Sequence, residues 1–293
     1  MIEVDGLTKR FGDAIAVDGL SFTVRPGQVT GFLGPNGAGK STTMRMIIGL
    51  DRPTSGTALV DGLPYRRHTA PLRVAGVMLE GRALHRGRTA RAHLLGLART
   101  HGIPAGRVDE VLTEAGIADV ADRRAGGFSL GMGQRLGVAA ALLGDPAVVI
   151  LDEPVNGLDP DGVLWIRTML KELAARGRTV LVSSHLMSEM AVTADHLLVV
   201  SRGRLLADTT VDELIERSGA GRCLVRSPDA DRLHEALAAG GATVTRPEPD
   251  VLEVSVLSGP EIGATAAAHG FVLHELTPRR ASLEQAYMEL MAA

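Results

Sequence analysis

Residues 34–42 read Gly34-Pro35-Asn36-Gly37-Ala38-Gly39-Lys40-Ser41-Thr42, and no other stretch restricts the fold as much. The spacing matches Gly-x-x-x-x-Gly-Lys-Ser/Thr, the P-loop pattern, at every fixed position. Glycines let backbone N–H groups turn inward and surround phosphate oxygens, where any side chain would crowd them. Lys40 can reach the β- and γ-phosphates, and the Ser41 hydroxyl can ligate Mg²⁺. The apolar run 28–33 predicts a strand entering the loop, and 41–50 predicts the helix leaving it. That helix aims its positive N-terminal end at the same anion. The stretch implies a nucleoside triphosphate site.

A second acidic element fits the first. Ala147-Val148-Val149-Ile150-Leu151 is a continuous apolar run, as a buried parallel strand should be, and it delivers Asp152 and Glu153 to the strand's C-terminal end. Asp152 is suited to hold Mg²⁺ beside Ser41, and Glu153 to polarise an attacking water. Helices expected over 161–176 and 188–194 alternate with strands over 179–183 and 197–200, which implies a mostly parallel α/β sheet.

The 293 residues suit one large domain and one small one. Residues 1–60 read as strands and turns around the loop, while 91–101, 107–115 and 130–143 read as helices. After Gly219-Ala220-Gly221 the texture changes. Strands are expected over 223–225, 251–257 and 271–275, and helices over 230–239, 261–269 and 282–290. Ser282 and Gln285 fit a capping box at the start of the last helix. Its apolar face of Leu283, Ala286, Tyr287 and Leu290 reads as packing or as a partner site. The expected division is 1–218 and 221–293, the second a small α+β domain.

The net charge of −3 implies no nucleic-acid or acidic partner, and the single cysteine, Cys223, suits a reducing compartment. The opening Met1-Ile2-Glu3-Val4-Asp5 has neither the basic start nor the apolar run of a signal peptide, and no apolar stretch reaches about twenty residues. Any membrane role would then run through a partner.

Together with these motifs, Phe128-Ser129-Leu130-Gly131-Met132-Gly133-Gln134-Arg135, Leu151-Asp152-Glu153-Pro154, Asn156-Gly157-Leu158-Asp159 and Ser183-Ser184-His185 stand in the order and spacing of ATP-binding cassette (ABC) transporter nucleotide-binding subunits. The resemblance covers residues 1 to about 215, and the tail resembles the C-terminal extension of bacterial drug-exporter ATPases of the anthracycline-resistance group. It implies a P-loop NTPase fold with a helical subdomain near 82–144, ATP and Mg²⁺ as ligands, and ATP hydrolysis. It also implies a second ATPase subunit, a homodimer in the simplest case, and an integral-membrane permease at the cytoplasmic face of the membrane. Phe11 falls where an aromatic stacks on adenine, the alternative being a core Phe. Ser129 and Gly131 fall in the signature loop that closes on the partner subunit's ATP, Asp159 at the dimer interface, and His185 where a switch histidine meets the γ-phosphate.

Two departures stand out. Leu130 replaces a signature-loop glycine and reduces backbone freedom there. Glu80 replaces a glutamine that contacts Mg²⁺; an oxygen of similar reach remains, but a charge is added and an amide donor lost. Between Arg66 and Arg107 lie nine arginines, four histidines and one acid, Glu80. The segment reads as a solvated surface or as one facing a membrane subunit or anionic lipid headgroups. It lacks aromatic side chains for stacking on nucleic acid. The alternatives to an exporter ATPase are a soluble ABC-type ATPase and a weakly hydrolysing regulatory module.

Overall fold

The computed structural model describes residues 1–79, 85–217, 222–279 and 282–292, of which the side chains of Arg222 and Ala292 are excepted. It divides into two compact units, Met1–Thr209 and Thr210–Ala293.

The first unit opens with β1 (Ile2–Phe11) and β2 (Ala14–Val24), then β3 (Val29–Leu33), α1 (Lys40–Ile47) and β4 (Ser55–Val60). Next come α2 (Pro71–Val74), β5 (Ala75–Met78), and the helices α3 (Ala90–Thr100), α4 (Gly106–Glu114) and α5 (Leu130–Leu142). β6 (Val148–Asp152), α6 (Pro160–Ala175), β7 (Thr179–Ser184), α7 (Met187–Thr193), β8 (His196–Ser201) and β9 (Arg204–Thr210) follow.

Two sheets result. β2-β1-β4 is antiparallel, and a six-stranded sheet runs in the order β5-β6-β7-β3-β8-β9. The pairings β5–β6, β6–β7, β7–β3 and β3–β8 are parallel. β3, β6 and β7 are buried along their whole length, which explains their largely apolar sequences, Thr30, Asp152, Thr179, Ser183 and Ser184 being the buried polar exceptions. Met44 and Ile47 of α1 share one core with Ile2, Val4 and Leu7 of β1 and with Phe32 and Ile150 of the large sheet. The phosphate-loop helix is thereby packed between two sheets.

The helical segment is tied to the large sheet through α5 and α6. Arg135 on α5 lies over the Trp165 ring of α6, 4.3 Å from its centroid, and donates to the Ala115 carbonyl; the Trp165 indole donates to the Glu114 carbonyl. Two of the nine arginines are drawn into pairs here, Arg91 with Asp109 and Asp122, and Arg107 with Glu110 and Glu114.

The second unit comprises α8 (Val211–Arg217), β10 (Arg222–Arg226), α9 (Ala230–Ala239), β11 (Thr243–Glu248), β12 (Val251–Ser255), α10 (Gly259–His269), β13 (Glu275–Arg279) and α11 (Leu283–Ala292). Its sheet order β11-β12-β10-β13 is antiparallel throughout, with α9 and α10 as crossovers, the β-α-β-β-α-β arrangement of ferredoxin-like folds. α8 packs on α11, so the unit begins at 210, ahead of the expected break at 218–221. Leu283, Ala286 and Tyr287 are buried, and Ser282 and Gln285 close the capping box.

The last strand departs from the sequence reading. Residues 271–274 are irregular, and β13 starts at Glu275, paired with Arg226. Phe271 and Leu273 instead pack against the core of this unit, with the Phe271 ring stacked on His269 at 5.5 Å. Apolar character there reports packing of a connector, not a strand.

Candidate functional site

The site forms where β6, β7 and β3 end side by side. Parallel register sets Asp152 level with Ser183, and Leu33 level with Ser184. Residues just past each strand therefore converge, although Ser41 lies 111 positions from Asp152 and Glu153 lies 32 from His185 in the chain.

An open cleft of about 320 Å³ is walled by Ala16, by loop residues Pro35 to Thr42 other than Ala38, and by Asp152 and Glu153. Gly39, the N-cap of α1, has φ 100°, and a methyl group on it would lie 2.5 Å from the Ala16 carbonyl oxygen. Only glycine fits there. No side chain caps α1, so its first N–H groups face the cleft as anion donors. Gly34 and Ala38 serve the loop from behind: the Gly34 carbonyl accepts from Lys40 Nζ at 2.6 Å, and the buried Ala38 donates to the Pro35 carbonyl and accepts from Gly203 N–H.

The acidic side is held by hydroxyls. Ser41 Oγ donates to Asp152 Oδ2 at 2.6 Å, and Ser183 Oγ donates to Asp152 Oδ1. Ser183 also accepts from the Glu153 N–H at 2.9 Å, so one buried hydroxyl orients both acids. Glu153 has φ 50°, in the left-handed region that a non-glycine residue adopts at a cost. His185 Nδ1–H donates to Glu153 Oε2 at 2.8 Å. Glu153 Oε1 is buried, has no hydrogen-bond partner, and lies 3.8 Å from Lys40 Nζ.

This donor set suits Mg²⁺. The ion characteristically takes one or two carboxylates, keeps waters and binds substrate phosphates, and Asp152 with Ser41 supplies that share. No group of three or more His, Cys, Asp or Glu side chains able to cage a metal occurs among the described residues.

Lys40, Ser41, Asp152, Glu153 and His185 are thus brought together. Phe11, Ser129, Gly131 and Asp159 do not line the cleft. Phe11 is 54% exposed at the end of β1, with Lys9 Nζ 4.9 Å from its ring centroid, which excludes a core Phe. Ser129 is exposed and caps α5 by accepting from Met132 N–H at 3.2 Å; Gly131 follows it in the first turn. Asp159 caps α6, accepting from Gly162 N–H at 2.9 Å. Leu130 sits in the first turn of α5 without a positive φ, so this position needs no glycine backbone. Glu80 lies outside the described residues. In the sequence Ser183 is an ordinary serine at a strand end; its position opposite Asp152 follows from sheet register alone.

No helix among the described residues is long and apolar enough to cross a membrane. The family model for ABC transporters matches residues 17–156, and a model described only as a domain of unknown function matches 221–284. An uncharacterised ABC transporter ATP-binding protein of Bacillus subtilis, YhcH, is 41% identical over 221 residues, spanning 73% of this chain and 72% of that protein. The bacitracin transport ATP-binding protein BcrA of Bacillus licheniformis is also 41% identical over 221 residues, spanning 74% and 72%. A solved ATP-binding subunit of an ABC transporter is 27% identical, covers 74% of this chain and 92% of its own, and superposes with a TM-score of 0.68. The chain belongs to the ATP-binding, ATP-hydrolysing subunits of ABC transporters.

Proposed function

We propose that the chain is one of two identical cassettes that close around ATP and drive export through a separate integral-membrane permease. The observation that carries this reading is the convergence of Lys40, Ser41, Asp152, Glu153 and His185 at the ends of three adjacent strands. The loop N–H groups and Lys40 hold the β- and γ-phosphates, Lys40 giving up its contact with the Gly34 carbonyl. Ser41 and Asp152 would hold Mg²⁺, which when bound would supply positive charge to the phosphate oxygens. Glu80 is assigned to the same ion on its sequence position. Glu153 is the water-polarising base: His185 fixes Oε2, and Oε1 remains to accept from a water. His185 also faces the γ-phosphate, and the exposed Phe11 ring stacks on adenine.

Ser129 and Gly131 support the second copy. They present a helix N-terminus, a ready phosphate site, away from the cleft of their own chain. They complete the site of a partner, with Asp159 nearby at the shared interface. Similarity to a bacitracin transport protein supports an antibiotic or other small-molecule cargo, and the dimer sits at the cytoplasmic face of the membrane. Arg86, Arg88 and Arg99 are exposed and make no ion pair among the described residues, which supports contact with the permease or with anionic headgroups.

The deciding test uses two variants. Lys40→Ala abolishes tight ATP binding. Glu153→Gln binds ATP and runs as a stable dimer on gel filtration. A Glu153→Gln protein that stays monomeric in saturating ATP overturns the two-cassette reading.

A further inference from the structure

The first turn of α5 grips the loop that follows Glu153, and the residue that departs from the signature pattern makes the outer contact. Leu130 is 43% exposed, which is costly for a side chain with no neighbour to cover it. It does have one. A methyl group built on Gly157 would lie 1.9 Å from Leu130 Cδ2 and 2.4 Å from Cγ, so the leucine occupies the space that the missing Cβ leaves. Gly157 has φ 76°, which independently favours glycine.

One turn further along α5, the buried Gln134 donates from Nε2 to the Glu153 carbonyl at 3.3 Å and to the Pro154 carbonyl at 3.4 Å. Between these two attachments the loop is closed on itself, Asn156 N–H donating to the Glu153 carbonyl and Leu158 N–H to the Val155 carbonyl. Asp159 then caps α6. A short loop held at both ends and braced within moves as one piece with the helix that holds it.

We propose that Leu130 is a positioning residue that latches the N-terminus of α5 to the 153–158 loop. Ser129, offered to the partner's ATP, and Glu153, acting on the chain's own ATP, then shift together. The latch itself stands on the contacts of one chain; its coupling of two sites rests on the two-cassette reading above. Gln134 alone would anchor only the start of the loop. Leu130 extends the grip to its far end, so closure around the partner's nucleotide is transmitted to the loop that carries this chain's base.

Hydrogen exchange of the full chain without nucleotide reads the latch directly. Leu130→Ala keeps the helical backbone and removes the contact; amides of 155–159 should exchange about tenfold faster, the scale of losing much of a leucine side chain's burial. Leu130→Met, of similar volume, should restore protection to within about twofold. Unchanged exchange in Leu130→Ala, or no recovery in Leu130→Met, overturns the latch. The coupling is read by kinetics: Leu130→Ala should lower kcat about fivefold or more while equilibrium ATP affinity stays within about twofold, a split that loss of fold would not produce. An equal fall in affinity and kcat overturns the coupling. Wild-type protein that never dimerises on ATP would remove the two-cassette reading, and the exchange result would still decide the latch.

Discussion

Ser183→Ala isolates the part of the site that sheet register creates. Ser183 is fully buried and its hydroxyl makes two bonds, one donated to the Asp152 carboxylate and one accepted from the Glu153 N–H. Asp152 is only 8% exposed, so water cannot readily replace the lost donor. A hydrogen bond to a charged group contributes about 1.5–3 kcal/mol, and stranding the Glu153 N–H adds to the loss. The expected destabilisation is about 2–3 kcal/mol. For a unit of this size that corresponds to a fall in Tm of about 4–12 °C, read by calorimetry or circular dichroism. Activity should fall further than stability implies. With Ser183 gone, Ser41 still restrains Oδ2 of Asp152 and the Glu153 carbonyl is still held by Gln134 and Asn156, but the Glu153 N–H loses its acceptor at a residue that already holds φ 50°. A positioned general base contributes about 10²–10⁴-fold, so a kcat loss of at least about tenfold at a temperature where the variant is folded is expected. An unchanged Tm together with unchanged kcat would refute the role assigned to this hydroxyl.

Gly39→Ala forces a Cβ into the Ala16 carbonyl at a backbone angle that costs about 1–2 kcal/mol before any clash; Tm should drop and nucleotide binding, by fluorescence titration, should be lost. Burial holds the His93 imidazole below its ordinary value of 6.5, with Arg88 and His85 acting in the same direction. The folded state therefore takes up its proton later than the unfolded chain, and stability present above about pH 6.5 is lost as pH falls below it. His93→Gln should lose less Tm than wild type between pH 7.5 and 5.5; parallel curves would contradict this. Glu80→Gln should change the Mg²⁺ concentration needed for half-maximal ATPase or the stimulation by permease; identical titrations and stimulation would dismiss a distinct role for Glu80.

The elements themselves were largely legible because burial on both faces or on one helical face leaves a local trace. The run 147–151 is unbroken and 28–33 is interrupted only by the polar Gln28 and Thr30, and β6 and β3 occupy them within one residue at each end. Where solvent meets the chain the trace fades. β11 carries five exposed residues of six and so leaves no apolar pattern, and β9 runs between exposed and half-covered positions with only Thr209 buried. The irregular stretch 271–274 misled for the opposite reason. Phe271 and Leu273 look like strand residues because they fill a core, yet the pairing partner of β10 begins only at Glu275. Hydrophobic pattern reports what is covered, not which backbone groups pair.

The phosphate loop shows where local reading ends and three-dimensional reading begins. Its glycines, lysine and serine are contiguous, so their chemistry is written in nine adjacent letters. The acidic half is delivered by other strands, and its geometry depends on which strands are neighbours and how they are staggered. Had β7 been shifted by one residue against β6, the side chain opposite Asp152 would point to the other face of the sheet, and the hydroxyl between Asp152 and Glu153 would be missing. Had the order not placed β7 between β6 and β3, His185 would not reach Glu153 while Lys40 stands on its other side. Both facts are set by packing between segments distant in the chain, Ser183 lying 31 positions from Asp152 and Ser41 lying 111 from it, which no local periodicity encodes. Leu130 and Gly157 show the same limit: each looks like a small departure or an ordinary turn residue alone, and their contact, beside the Gln134 bonds to the Glu153 and Pro154 carbonyls, emerges only in the fold.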